Sequence, residues 1–163
     1  MDKIYTKQKP VILVSVAMVG LAFVTAFSGG LPLAKLGKQK AQVMIGSKTV
    51  QVEVVSTAEN QAKGLSGRKS LDENSGMLFD FGDYQARTFW MKDMNFPLDI
   101  IWISGGKIVG VNKNATPEGE FPQIKYYSPG PVDQVLEMNA GWFERNGIMV
   151  GQTVSLVKVD KNL

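Results

Sequence analysis

The longest uninterrupted apolar stretch comes first. Residues Val11 to Phe27 contain no charge, and Ser15 and Thr25 are their only polar members. Three lysines (Lys3, Lys7 and Lys9) precede the run, which gives it the form of a secretory signal. A cleavage point after Ala26 fits the small residues there. The apolar character also continues through Leu33 and Ala34, which makes the segment long enough for an uncleaved anchor across the hydrocarbon core. Both readings stay open, with residues 1–34 as signal or anchor, 35–40 as linker, and 41–163 as one domain.

Past the linker the pattern changes to short apolar runs punctuated by turn residues. Val50, Val52 and Val54 alternate with Gln51 and Glu53, the period of a half-buried strand. Gly46-Ser47 before them predicts a hairpin with residues 41–45. Thr57 followed by Asn60 predicts the capped start of a short helix that ends near Gly64. Residues 64–76 read as loop, anchored inward by Leu65 and Leu71. Two strand-like runs follow, 76–81 and 86–91, with a turn around Gly82-Asp83. In the second run Phe89 and Met91 face one side, and Trp90 and Lys92 the other. Pro97 interrupts, and Leu98 to Ile103 is apolar except for Asp99.

Gly105-Gly106 predicts a turn into a paired strand, Lys107 to Val111. Residues 112–131 carry Pro117, Pro122, Pro129 and Pro131 and predict a long structured loop, a cover for a site. Gln134–Met138 reads as a strand, Ala140–Arg145 as a helical turn, and Thr153–Val159 as a terminal strand. Eight or nine short strands with frequent turns predict a mainly β domain, a small barrel or a sandwich with one or two short helices.

Composition changes the picture in two places. The formal charge is +3, yet residues 41 onward hold 12 basic and 14 acidic residues, a net of −2. The basicity therefore flanks the apolar segment, and the domain has no excess charge to neutralise nucleic-acid phosphates. Cysteine and histidine are both absent. That excludes disulfides, thiolate nucleophiles, Ser-His-Asp triads and histidine-bearing zinc sites. A carboxylate-only magnesium or calcium site stays open, but the acids are scattered without calcium-loop spacing and no nucleotide-loop motif is present, so no metal or other cofactor is implied.

The blocks GLSGR (64–68), GMLF (76–79), FWMKDMNFPLDIIWI (89–103) and VLEMNAG (135–141) resemble, in order and spacing, the DUF192 family of uncharacterised domains. The resemblance covers about 120 residues. It implies a small β-rich, barrel-like domain, often behind a signal or anchor, and it brings no established activity. Family members usually read close to GLMFR where this chain has Ser66 and Gly67 before Arg68. Asp93-Met94 stands where an Asn-Thr pair is common.

Several side chains are candidates for chemistry. Arg68, in a glycine-flanked loop, can grip a carboxylate or phosphate with two parallel bonds, or tie the loop to Asp80, Asp99 or Glu137. Trp90 offers a stacking face for a sugar or aromatic group, with Lys92 beside it for an anion; the bland alternative is a core tryptophan and a lysine at the rim. Asp99, inside an apolar run, must be paired or hydrogen-bonded if it points inward. It reads either as a general acid or base or as an acceptor for backbone amides near Pro97, and Glu137 poses the same question. Asp72, Asp80 and Asp83 read as solvated turn residues. Ser66 lacks a base other than Lys69 or Lys92.

Two functions from different classes follow. One is a binding or accessory module outside the cytoplasm that contacts a small polar or anionic ligand, or a partner peptide of an envelope protein, through Arg68, Trp90, Lys92 and Asp99. The other is an envelope hydrolase with Asp99 and Glu137 as its acid–base pair. A purely structural interaction domain is the third expectation.

Overall fold

The computed structural model describes residues 38–160, so the apolar segment 11–34 and its cleavage point lie outside the described residues. Among the described residues no helix is long and apolar enough to cross a membrane. Seven strands and two short helices follow in the order β1 (Lys38–Ile45), β2 (Lys48–Val55), α1 (Ala58–Lys63), β3 (Ser75–Phe89), β4 (Leu98–Ser104), β5 (Lys107–Ala115), β6 (Tyr126–Asn139), α2 (Trp142–Arg145) and β7 (Val154–Asp160). The domain is mainly β, as the pattern predicts. β1 starts at Lys38, inside the stretch read as linker.

The strands form one sheet in the order β5-β4-β6-β3-β2-β1-β7. Two points of the sequence reading are corrected here. Among the described residues there are seven strands rather than eight or nine, because the runs 76–81 and 86–91 belong to one long strand, β3. The sheet also does not close into a barrel. Its outer strands, β5 and β7, meet only near one end, through a single bridge between Lys107 and Thr153 supported by Val154 N–H donating to Gly106 C=O at 2.8 Å.

The β1–β2 hairpin turns at Gly46-Ser47 as its sequence predicts. Thr57 caps α1 by accepting from Asn60 N–H at 3.3 Å, and Gly64 closes the helix with φ +49°. The β2–α1–β3 segment is a crossover that brings β3 parallel to β2, with Gln51 opposite Ser75 and Val55 opposite Phe79. Parallel neighbours need such a detour because the chain must return to its starting end. The 112–131 loop is shorter than expected. β5 reaches Ala115 and β6 starts at Tyr126, leaving 116–125 as the connection. Pro129 and Pro131 lie inside β6, beside the register irregularity between Ala86 and Thr88, where a missing N–H breaks little of the ladder.

Hydrophobic residues cover both faces of the central strands. In β4 the run from Leu98 to Ile103 is buried throughout, the signature of a strand without a solvent face. One face packs Val50, Val52, Val54, Leu78, Ile101 and Leu136 against Trp142 and Phe143 around α2. The other packs Met77, Phe79, Ile100 and Trp102 against Leu65, Met91 and Met94 from the connecting segments. Gly76 lets β3 and β6 approach closely, since a Cβ there would meet Met138 Sδ at 2.5 Å and the Glu137 carbonyl at 2.7 Å.

Candidate functional site

The four residues expected to form one site are divided by the sheet. Asp99 pairs with Met138 and Ile100 pairs with Glu137 across β4 and β6. Directly opposed residues share a face, and neighbours along a strand alternate faces. Asp99 therefore points toward α2, and Glu137 toward α1 and the 64–74 loop. They do not converge on a common pocket, so the acid–base pair of the hydrolase reading is not formed.

Asp99 is fully buried. Its Oδ1 accepts from Asn114 N–H at 3.0 Å and Gly141 N–H at 3.1 Å, and its Oδ2 accepts from Phe143 N–H at 2.9 Å. These amides satisfy the carboxylate and hold β5 and the start of α2 to β4. The clamp reading applies, with partners from β5 and α2 in place of the Pro97 bend. Asp99 lines neither the cavity nor the groove described below.

Arg68 also finds an unexpected partner. Its Nη2 pairs with Glu53 Oε2 at 2.6 Å, not with Asp80 or Asp99. Glu53 read as the solvent-facing member of an alternating strand, but the 64–74 loop folds over that face. Arg68 also acts on Glu137. Burial pushes the Glu137 carboxyl up to about 8, and the Arg68 guanidinium only partly offsets it. Glu137 is 5% exposed and lines a cavity of about 160 Å³ with Gln61, Leu65, Phe79, Phe89, Trp90 and Met94.

Trp90 and Lys92 do share a site. Met91 is fully buried and pins the segment after β3, which turns its neighbours Trp90 and Lys92 the other way. They line a groove of about 320 Å³ whose opposite wall is Glu120, Phe121, Pro122, Gln123 and Lys125 of the 116–125 loop. Trp90 is 52% exposed, and the Lys125 ammonium lies 4.0 Å from its ring centroid. That distance is within cation–π range. Neither Lys92 nor Lys125 forms an ion pair with a described residue.

The loop wall is tied down. Glu118 N–H donates to Met91 C=O and Asp93 N–H to Glu118 C=O, both at 3.1 Å. The Glu118 carboxylate turns back onto its own loop, accepting from Gln123 N–H at 3.0 Å and Ile124 N–H at 3.2 Å. Asp93 holds φ +53°, a left-handed conformation that places its N–H for this contact. On the other flank, Ser66 Oγ donates to Lys92 C=O at 2.9 Å and Gly67 N–H to Asp93 C=O at 2.9 Å. Ser66 is thus consumed in positioning the groove. Lys125 and Phe121 carry no sequence signal that sets them apart from ordinary loop residues, and they enter the site only through the fold.

Among the described residues no group of three or more His, Cys, Asp or Glu is placed to hold a metal ion. The arrangement offers a half-exposed indole, two ammonium groups and a preformed wall. It can hold a flat, negatively charged molecule and supplies no nucleophile and base in contact.

The family model DUF192, described as an uncharacterised ACR, matches residues 41–156. The chain is 31% identical to a candidate transcription regulator from Sinorhizobium meliloti 1021, known as a crystal structure, with a TM-score of 0.66 over 74% of this chain and 94% of that one. It is 32% identical to a protein of unknown function from Novosphingobium aromaticivorans DSM 12444, with a TM-score of 0.66 over 77% of this chain and 89% of that one. No curated protein matches the chain.

Proposed function

This chain belongs to the DUF192 family, and from that premise we propose that its domain is a binding module for a small anionic ligand with a flat face, held in the Trp90 groove. One observation carries the reading: a half-exposed indole, the Lys125 ammonium stacked on it and Lys92 line one groove. The indole supplies area at little entropic cost, and the two ammonium groups supply charge-assisted hydrogen bonds. Glu120 on the same rim leaves the groove with a net positive charge. Arg68 contributes indirectly, by fixing the 64–68 loop that supports the Lys92 backbone.

The reading needs no chemical step. The name of the Sinorhizobium relative suggests regulation, but residues 41 onward carry a net charge of −2 here. That balance favours a small molecule over a phosphate backbone as the ligand. The apolar run Val11–Phe27 behind its lysines supports work at the outer face of the cytoplasmic membrane, as an anchored or a released domain.

Calorimetric titration with two matched pairs tests the proposal: benzoate against benzamide, and galacturonate against galactose. In at least one pair the anion should bind about tenfold tighter than its neutral partner, the equivalent of ~1.4 kcal/mol. That advantage should disappear in the Lys92→Gln, Lys125→Gln double variant. Equal affinities within both pairs, or an advantage that survives the double variant, would overturn it.

A further inference from the structure

The floor of the cavity beside α1 carries a buried carboxyl. Strand register sets Glu53, Met77, Glu137 and Ile100 in one row across β2, β3, β6 and β4. Two of the four are acidic, and the row continues to Lys40 of β1, which lies opposite Glu53. Arg68 is bonded to Glu53 and is the opposite charge acting on Glu137. The Glu137 carboxyl is nine-tenths buried, lines the cavity, and makes no hydrogen bond with a described residue. A buried polar group in that condition is either a liability or a ligand contact.

The remaining walls say what such a ligand needs. Leu65, Phe79, Phe89, Trp90 and Met94 are apolar or aromatic, beside the polar Gln61, Ser66 and Thr88. Phe79 and Phe89 meet edge to face at 5.0 Å. The volume of about 160 Å³ is close to that of an apolar cavity of roughly 150 Å³ that admits benzene.

We infer that this cavity binds a primary ammonium carried on a small apolar or aromatic body, with Glu137 as its counter-ion. On entry the Glu137 carboxylic acid gives up its proton to solvent. The carboxylate then pairs with the ammonium, while the aromatic faces contact its cationic head. One proton leaves for each ammonium bound, so the floor keeps the same net charge. A neutral body of the same shape gains apolar burial alone, and an anion finds no counter-ion at Glu137.

The charged groups around Glu137 are consistent with this exchange. Glu53 faces it from β2, and Arg68 from the 64–74 loop. Lys63, at the end of α1, stands at the rim and is exposed, so water screens its repulsion. β3 and β4 bring apolar side chains to this face, among them Met77, Phe79, Leu98, Ile100 and Trp102. Lys92 belongs to the neighbouring groove. The inference is independent of the anion reading of that groove and shares only Trp90 with it.

The test is calorimetric titration of the full-length protein with benzylamine, in buffers of different ionisation enthalpy, between about pH 5 and 7.5. One linked proton predicts an affinity that rises about tenfold per pH unit and a release of about one proton per ligand. At about pH 7.5 benzyl alcohol, and benzoate measured on the Lys92→Gln, Lys125→Gln variant, should bind at least about tenfold more weakly. Glu137→Gln should remove both the pH dependence and the proton release. A readout on the unaltered chain stands beside that variant: the infrared carbonyl stretch of a protonated buried carboxyl, present at pH 6 and lost on saturation with benzylamine. Binding without pH dependence or proton release, a carbonyl band that survives saturation, or benzyl alcohol as tight as benzylamine would each overturn the inference.

Discussion

Asp99 and Glu137 sit on adjacent strands one register step apart and point to opposite faces of the sheet, Asp99 opposite Met138 and Glu137 opposite Ile100. That step separates two acids that look alike in the sequence. One is saturated by three backbone N–H groups, and the other is left over a cavity with only a shared arginine. The difference predicts opposite responses to removing the charge.

At Asp99 the carboxylate is structural. Asp99→Ala orphans three amides at the junction of β4, β5 and α2 and should destabilise the domain by about 3 kcal/mol or more. Asp99→Asn keeps one acceptor oxygen and should lose less. Urea unfolding monitored by far-UV circular dichroism gives both values.

At Glu137 ionisation opposes folding. The native carboxyl keeps its proton to about pH 8, while the unfolded chain releases it near 4.5. The native state therefore binds more protons than the unfolded state in that window. Stability contributed by this group is full below about pH 4.5, falls as pH rises toward 8, and levels off above it. Glu137→Gln should flatten this decline and leave the variant the more stable form at pH 8.5. Unfolding midpoints at pH 5.5, 7 and 8.5 check the sign.

Gly76 should not tolerate a side chain. The Cβ of Gly76→Ala would press on the Glu137 carbonyl and Met138 Sδ, and β6 has to shift to accept it. A loss of about 1–3 kcal/mol is expected from such overpacking. At Thr57, by contrast, only a cap is at stake, and Thr57→Ala should cost about 1 kcal/mol. Thermal unfolding of the two variants side by side tests whether the β3–β6 approach matters more than the start of α1.

The legible parts of the fold were those fixed by short-range chemistry. The alternation of Val50, Val52 and Val54, the Gly46-Ser47 turn and the Thr57 cap all appear where the pattern predicts them. What stayed hidden depends on covering layers. Glu53 has the spacing of a solvent-facing residue, and period two cannot reveal that the 64–74 loop will fold over it. The 112–131 stretch read as loop because prolines punctuate it, yet Pro129 and Pro131 sit where β6 is irregular and tolerates them. In the site, Trp90 and Lys92 were legible from alternation around Met91. Lys125 was not, because it reaches the indole from a distant loop whose position is set by backbone bonds to Met91 and Asp93.

The anion groove is tested most directly at Trp90 itself. Trp102 and Trp142 are each 1% exposed and serve as internal controls. In a ¹H–¹⁵N spectrum of the three indole groups, titration with benzoate or galacturonate should shift the Trp90 signal alone. The shift should weaken as salt is raised and vanish in the Lys92→Gln, Lys125→Gln variant. A Trp90 signal that neither anion moves, or that moves equally in the double variant, would contradict the account.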